Sequence, residues 1–219
     1  TDEIVEFAPG LGYTASVALQ RNPKSYTGVE LNEEAASILS KAIIGKNGYD
    51  RRIVIANAAN STLSGNSYDK VYGEAMLTIQ ADHRKSEIIK EAYRILKPGA
   101  LYGIHELGLT PDNLNEDTKA IIQRELAQTI KVNARPLTIS EWTKLLENEG
   151  FKVVKIETNS MSLLELKRMI DDEGFLRTLK ITFNILIHSK ERKRILAMRE
   201  TFRKYKDSMN AVVIIAQKN

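Results

Sequence analysis

"IVEFAPGLGYTA", residues 4–15, sets three local signals side by side. A short apolar run carries an acid, Glu6, at its end. The turn Ala8-Pro9-Gly10-Leu11-Gly12 follows, and Thr14 then caps what reads as the first turn of a helix. Glycines in a turn of this kind let the backbone approach a nucleotide, and the helix N-terminus beyond it offers unpaired amides. Gly10, Gly12 and Ala15 satisfy G-x-G-x-x-G/A, and Glu30 stands eighteen residues past Gly12, where an acid would accept hydrogen bonds from ribose hydroxyls.

Working outward, apolar strand-like runs alternate with helical patterns, which predicts a parallel sheet covered on both faces. Strands are expected at "EIVEFA", "SYTGVEL", "RIVIANA", "YDKVYGEAML" and "ALYGIHEL". Helices are expected at "TASVALQRN", at "NEEAASILSKAIIGKNG" entered through Asn32, and at "RKSEIIKEAYRILKPG", stopped by Pro98-Gly99. After Gly108 the rhythm changes to a helix begun by Thr110-Pro111 and a second one, "LTISEWTKLLENEGF", begun at Thr138 or Ser140. The strand "KVVKIET", helical sequence from 162 to about 206 and a last strand, "NAVVIIAQK", complete the chain. No repeat or low-complexity linker appears. One domain over 1–219 is expected, with a cofactor-binding half at 1–108 and a substrate-side half at 109–219 that holds a helical insertion at about 160–207.

The 219 residues contain no cysteine, which excludes disulfides, thiolate metal sites and cysteine nucleophiles, fits a reducing cytoplasm, and leaves no metal site expected. No apolar run is long enough to span a bilayer and no secretory signal is visible, so a cytoplasmic protein is expected. The net charge of +4 is a mild basic excess, weak evidence for an anionic partner.

Glu6 separates the two nucleotide classes that use such turns. A pyrophosphate would be repelled by an acid at the mouth of the turn, which disfavours NAD; a cationic nucleoside would be attracted. A bland alternative pairs Glu6 and Glu30 with surface lysines. With these residues in view, the chain resembles a class I S-adenosylmethionine-dependent methyltransferase of the small-molecule group related to the ubiquinone/menaquinone-biosynthesis enzymes. "VEFAPGLG" resembles that family's first motif and "GVELN" its ribose-binding second strand. "NAANSTL" with "SYDKVYGEAML" resembles strands three and four, "EAYRILKPGALYGIHE" the Lys-Pro-Gly turn and fifth strand, and "LTISEWTKLLENEGFKVV" the late helix and sixth strand.

The resemblance implies a three-layer α/β sandwich, Rossmann-like and doubly wound, with a seven-stranded, mostly parallel sheet whose last strand is antiparallel, plus a helical cap. It implies S-adenosylmethionine as cofactor, S-adenosylhomocysteine as product, and cofactor contacts at Glu6, Ala8, Pro9, Gly10, Gly12, Glu30, Leu31, Asn57, Ala58, Ala59 and Glu74. Two departures stand out. Ala8 replaces the first glycine of the turn, and Ala58 stands where an acid meets the adenine amino group, leaving Asn57 or Asn60 to accept that bond and the Ala59 amide to meet the ring. The family's lid helices precede strand one and are expected outside this sequence; its late insertion roofs the pocket or makes homodimer contacts.

Methyl transfer needs donor and nucleophile held in line, with water excluded, and a base only where the nucleophile starts protonated. Ligands in open parallel sheets bind at the carboxyl ends of the strands, so Glu74, His83 and His105 are the candidate catalytic residues, with Glu106 beside them and alternation aiming only one of 105 and 106 at the pocket. Trp142 reads as helix-core packing, and the stripe Leu176, Leu179, Phe183, Leu186 as one helix face. The eight basic residues of 190–206 read as the solvated face of an amphipathic cap, so a nucleic-acid partner is disfavoured. The expected activity is methyl transfer to a small-molecule N, O, C or S nucleophile. The alternatives are an RNA or protein methyltransferase and a non-catalytic nucleoside-binding domain.

Overall fold

The first strand, β1 (Glu3–Phe7), already divides the molecule, because its alternating side chains enter two separate cores. In the computed structural model, which describes residues 2–43, 50–160 and 189–219, Ile4 joins Ala15, Leu19, Tyr26, Leu39 and Ile43 on one face. Val5 and Phe7 join Val71, Tyr102, Ile104, Ile88, Ile89, Trp142 and Leu146 on the other. Helices α1 (Tyr13–Leu19) and α2 (Glu33–Ile43) therefore cover one side of the sheet, and α3 (Asp82–Ile95) and α5 (Ile139–Asn148) the opposite side.

The remaining strands are β2 (Ser25–Glu30), β3 (Asp50–Ile55), β4 (Tyr68–Glu74), β5 (Leu96–Leu109), β6 (Leu137–Thr138), β7 (Phe151–Ser160) and β8 (Met209–Lys218). The order is β3-β2-β1-β4-β5-β8-β7, with β6 pairing β5. Strands β1 to β5 run parallel, and β8 lies antiparallel between β5 and β7. The chain reverses its direction of winding between β1 and β4, which opens the crevice where such sheets bind ligands. A third core joins α4 (Glu116–Ile130) and α6 (Ser189–Lys204) through Ile122, Leu126 and Phe202 to Leu109 and Met209.

The doubly wound architecture and antiparallel last strand match the expectation, and among the described residues eight strands replace seven because Leu137–Thr138 adds a short ladder to β5 beyond the end of β4. Several local expectations shift. Strand β4 ends at Glu74, where Ala75 takes φ +51. Strand β5 starts at Leu96, running through the Lys-Pro-Gly segment. Helix α4 starts at Glu116, capped by the Asn115 side chain rather than at Thr110-Pro111. Thr138 caps α5 through a capping box with Glu141, as the Thr-x-x-Glu spacing dictates.

Trp142 is fully buried and its indole donates to the Leu107 carbonyl at 3.1 Å, so it is core. The basic helix α6 lays Met198 and Phe202 on the third core and pairs Lys204 with Glu125 of α4. The stripe Leu176–Leu186 falls outside the described residues, as does the remainder of the insertion from 161 to 188.

Candidate active site

The glycine turn takes its shape from backbone that prefers glycine. Gly10 has φ +53 and Gly12 φ +86, and Gly12 is the N-cap of α1. Thr14 makes no cap; its hydroxyl donates to Glu74 at the end of β4, joining the helix to the neighbouring strand. Ala8 sits at φ +54, a conformation that costs an L residue about 1 kcal/mol. Its amide is held by the Val29 carbonyl at 2.8 Å. Ala8→Gly should therefore keep the turn and raise stability by a few tenths of a kcal/mol, roughly, as relief of strain exceeds the added freedom of the unfolded chain. Thermal melts check it, and a large loss would mean that the Ala8 methyl packs.

Three carboxylates stand at the carboxyl ends of three adjacent strands around this turn: Glu30 and Glu74 are the last residues of β2 and β4, and Glu6 is one residue before the end of β1. Glu30, buried at the end of β2, accepts the Gly10 amide at 2.9 Å and the Asn32 amide at 2.8 Å, so the acid ties the turn to the start of α2. Glu6, 2% exposed, accepts the hydroxyls of Tyr26 (2.7 Å) and Tyr72 (3.0 Å) on one oxygen. Burial pushes its carboxyl up, the two hydroxyls pull it down, and the charge of Glu74 adds to the rise. No lysine or arginine appears among the partners of Glu6, Glu30 or Glu74, so the surface-lysine alternative is not what the described residues form.

Glu74 and His105 are register partners on β4 and β5, and the His105 Nδ1 meets Glu74 at 3.0 Å. That bond, with the Thr14 hydroxyl, holds the Glu74 carboxyl below its ordinary value of 4.5 against desolvation. A depressed folded value adds stability above the ordinary range, and this is lost as the pH falls through the folded value. Melts of the wild type and Glu74→Gln taken from about pH 7 to pH 3 should therefore differ most at the upper end and draw together as acid is added.

His83 lies exposed in the first turn of α3, with no described contact to the Glu74–His105 pair. Of the adjacent pair at 105 and 106, His105 lies on the side of the glycine turn, bonded to the Glu74 that accepts from Thr14. Glu106 faces the opposite core and accepts the amides of Met76, Leu77 and Thr78 and the Thr78 hydroxyl. Burial pushes the Glu106 carboxyl above its ordinary value, and the four donors aimed at its two oxygens pull against that rise.

At the end of β3, Asn57 uses its side-chain oxygen to accept the Ala59 amide at 2.9 Å, and Ala58 packs in the core. Leu31 is 65% exposed next to Glu30, and Leu11 is 60% exposed in the turn, leaving apolar surface at the crevice. A Cβ built on Gly10 would meet nothing within 4 Å, so the turn leaves open space there. These residues fit a nucleoside: apolar faces for a base, a carboxylate at ribose position, and acids near a cationic tail. Sequence reasoning missed the tyrosines that hold Glu6, since Tyr26 and Tyr72 read only as strand residues.

Among the described residues, no cluster of three or more acids or histidines is placed to hold a metal, and no helix is long and apolar enough to cross a membrane.

The sequence profile described as "Methyltransferase domain" matches residues 4–99. An uncharacterized protein of Haemophilus influenzae is 31% identical over 218 residues, covering 99% of this chain and 84% of that protein. A SAM-dependent methyltransferase from Methanosarcina mazei shares the fold at TM-score 0.65 and 20% identity, with 99% of this chain and 92% of that one covered. Phosphoethanolamine N-methyltransferase 2 of Haemonchus contortus, solved with phosphomonomethylethanolamine and S-adenosylhomocysteine, shares it at 0.69 and 19% identity; the match covers 99% of this chain and 48% of that one. These relatives do not single out the ubiquinone/menaquinone-related subgroup. Residues 4–99 thus carry a methyltransferase domain, and the sheet order and the solved neighbours give the whole chain the fold of the class I S-adenosylmethionine-dependent methyltransferases.

Proposed function

We propose that this methyltransferase binds S-adenosylmethionine across the β1–β4 crossover and methylates a small-molecule acceptor by in-line displacement. The observation that carries the reading is the anionic crest: Glu6, Glu30 and Glu74 stand at the carboxyl ends of β1, β2 and β4 around the glycine turn, with no lysine or arginine among their described partners. A carboxylate within about 4–6 Å favours a cation and repels a phosphate.

In this reading Glu30 accepts from the ribose hydroxyls, Leu31 and the Asn57–Ala59 turn border the base, and the backbone from Ala8 through Pro9 and Gly10 to Gly12 follows the nucleoside. Glu6 and Glu74 draw the cationic end. The cofactor supplies a methyl group made electrophilic by a sulfonium. Glu74 and His105 stand where the acceptor would approach. Glu74 orients the imidazole, and His105 takes a proton where the nucleophile carries one. The half from 109 onward, with the α4–α6 layer, would close the acceptor side and exclude water.

Label from methyl-labelled S-adenosylmethionine, incubated with the protein and cell extract, should enter the small-molecule fraction. Label in RNA or protein instead would overturn the acceptor class while leaving methyl transfer intact.

A further inference from the structure

Five consecutive residues at the end of β4 are bonded to one dipeptide, His105–Glu106. Glu74 meets the His105 ring at 3.0 Å, and the Ala75 amide donates to the His105 carbonyl at 2.8 Å. The Met76 and Leu77 amides donate to Glu106 Oε1 at 3.0 and 2.7 Å. Thr78 gives its amide (2.9 Å) and hydroxyl (2.6 Å) to Oε2. The same Thr78 hydroxyl accepts the Leu107 amide at 3.3 Å, and the Thr78 carbonyl accepts the Arg135 amide at 2.7 Å. Adjacent residues of a strand point to opposite faces, so His105 works on the crevice side while Glu106 works inside the opposite core.

We propose that Glu106 is a positioning residue. From the far face of the sheet it fixes the 75–78 crest, and thereby the Glu74–His105 pair, without touching cofactor or acceptor. The role rests on the methyltransferase reading of the site. A carboxylate suits the position because four donors converge on it, and only an ionised acid presents two oxygens that both accept and donate nothing. Ala75 at φ +51 shows what the bonds hold in place, since a left-handed alanine persists only where its surroundings over-determine it. Glutamine would turn an amide NH2 against backbone N–H groups, and aspartate is one methylene too short to reach all of them.

The chain has three histidines, so their ring-proton signals separate by NMR, with His105 assigned through His105→Gln. Loosening the crest withdraws Glu74 from the ring and removes a negative partner, which lowers the His105 titration midpoint. Glu106→Asp and Thr78→Val both preserve the Glu106-position charge, and both should lower that midpoint, by about 0.5 pH unit for the aspartate and less for the valine. The His83 signal should stay unchanged.

A His105 midpoint that stays at the wild-type value in both variants overturns the proposal. So does a midpoint that moves only in Glu106→Gln, because lost charge alone then explains it. If Glu106→Asp does not fold, Thr78→Val, which removes one donor of four, decides. Calorimetry with S-adenosylhomocysteine on the wild type keeps the two readings apart: absent binding would overturn the cofactor assignment, whereas the NMR result bears on Glu106 in either case.

Discussion

Replacing Glu30 with alanine should weaken S-adenosylhomocysteine binding by about 100-fold in a protein that still folds, a loss of about 2.7 kcal/mol. Two effects add. The acid is buried at the end of β2, and hydrogen bonds to a charged acceptor are worth about 1.5–3 kcal/mol each, so losing the proposed ribose contacts is costly. The same carboxylate also holds the Gly10 and Asn32 amides, at 2.9 and 2.8 Å, and without it the turn is no longer tied to α2. Glu30→Gln keeps one carbonyl oxygen and should lose roughly tenfold. Calorimetry reads the affinities and a melting curve confirms folding. Unchanged affinity in Glu30→Ala would place the nucleoside elsewhere.

Gly12→Val should destabilise the chain by about 3 kcal/mol or more and abolish cofactor binding. At φ +86 any Cβ is strained, and a Cβ there would lie 2.3 Å from Leu39 Cδ1, in a leucine that is 1% exposed and has little room to yield. A branched side chain compounds both problems. Gly10 provides the contrast. Its φ of +53 is also left-handed, but a Cβ there meets nothing within 4 Å, so Gly10→Ala should cost only about 1 kcal/mol. It should still lose S-adenosylhomocysteine affinity, since the methyl would occupy the open space beside the turn. Denaturant melts and calorimetry on both variants separate the two effects, and equal stability losses would mean that the packing of Leu39 against the turn is unimportant.

The alternation of strands and helices, and with it the doubly wound fold, was legible in the sequence because it rests on local signals: glycines after a strand and an acid at the end of the next. The Lys-Pro-Gly segment, read as a stop before the fifth strand, lies inside it. Caps followed where a side chain meets its own backbone, as with Asn32, whose oxygen accepts the Ala35 amide, and Thr138. Thr14 read as a cap and is instead a long-range donor to Glu74, because proximity in sequence could not show that β4 lies beside α1. The same limit hid the tyrosines on Glu6, which come from β2 and β4. Alternation showed that 105 and 106 diverge, yet not that Glu106 gathers three successive amides, since the fold of the 75–78 segment depends on a register no local pattern records.

A cationic, phosphate-free nucleoside at the β1–β4 crossover is tested most directly by titrating the chain in a calorimeter with S-adenosylmethionine, S-adenosylhomocysteine and NAD in parallel. The acids at the three strand ends predict micromolar binding of the first two and none of NAD. Tight binding of NAD, with the S-adenosyl compounds giving no heat, would contradict it.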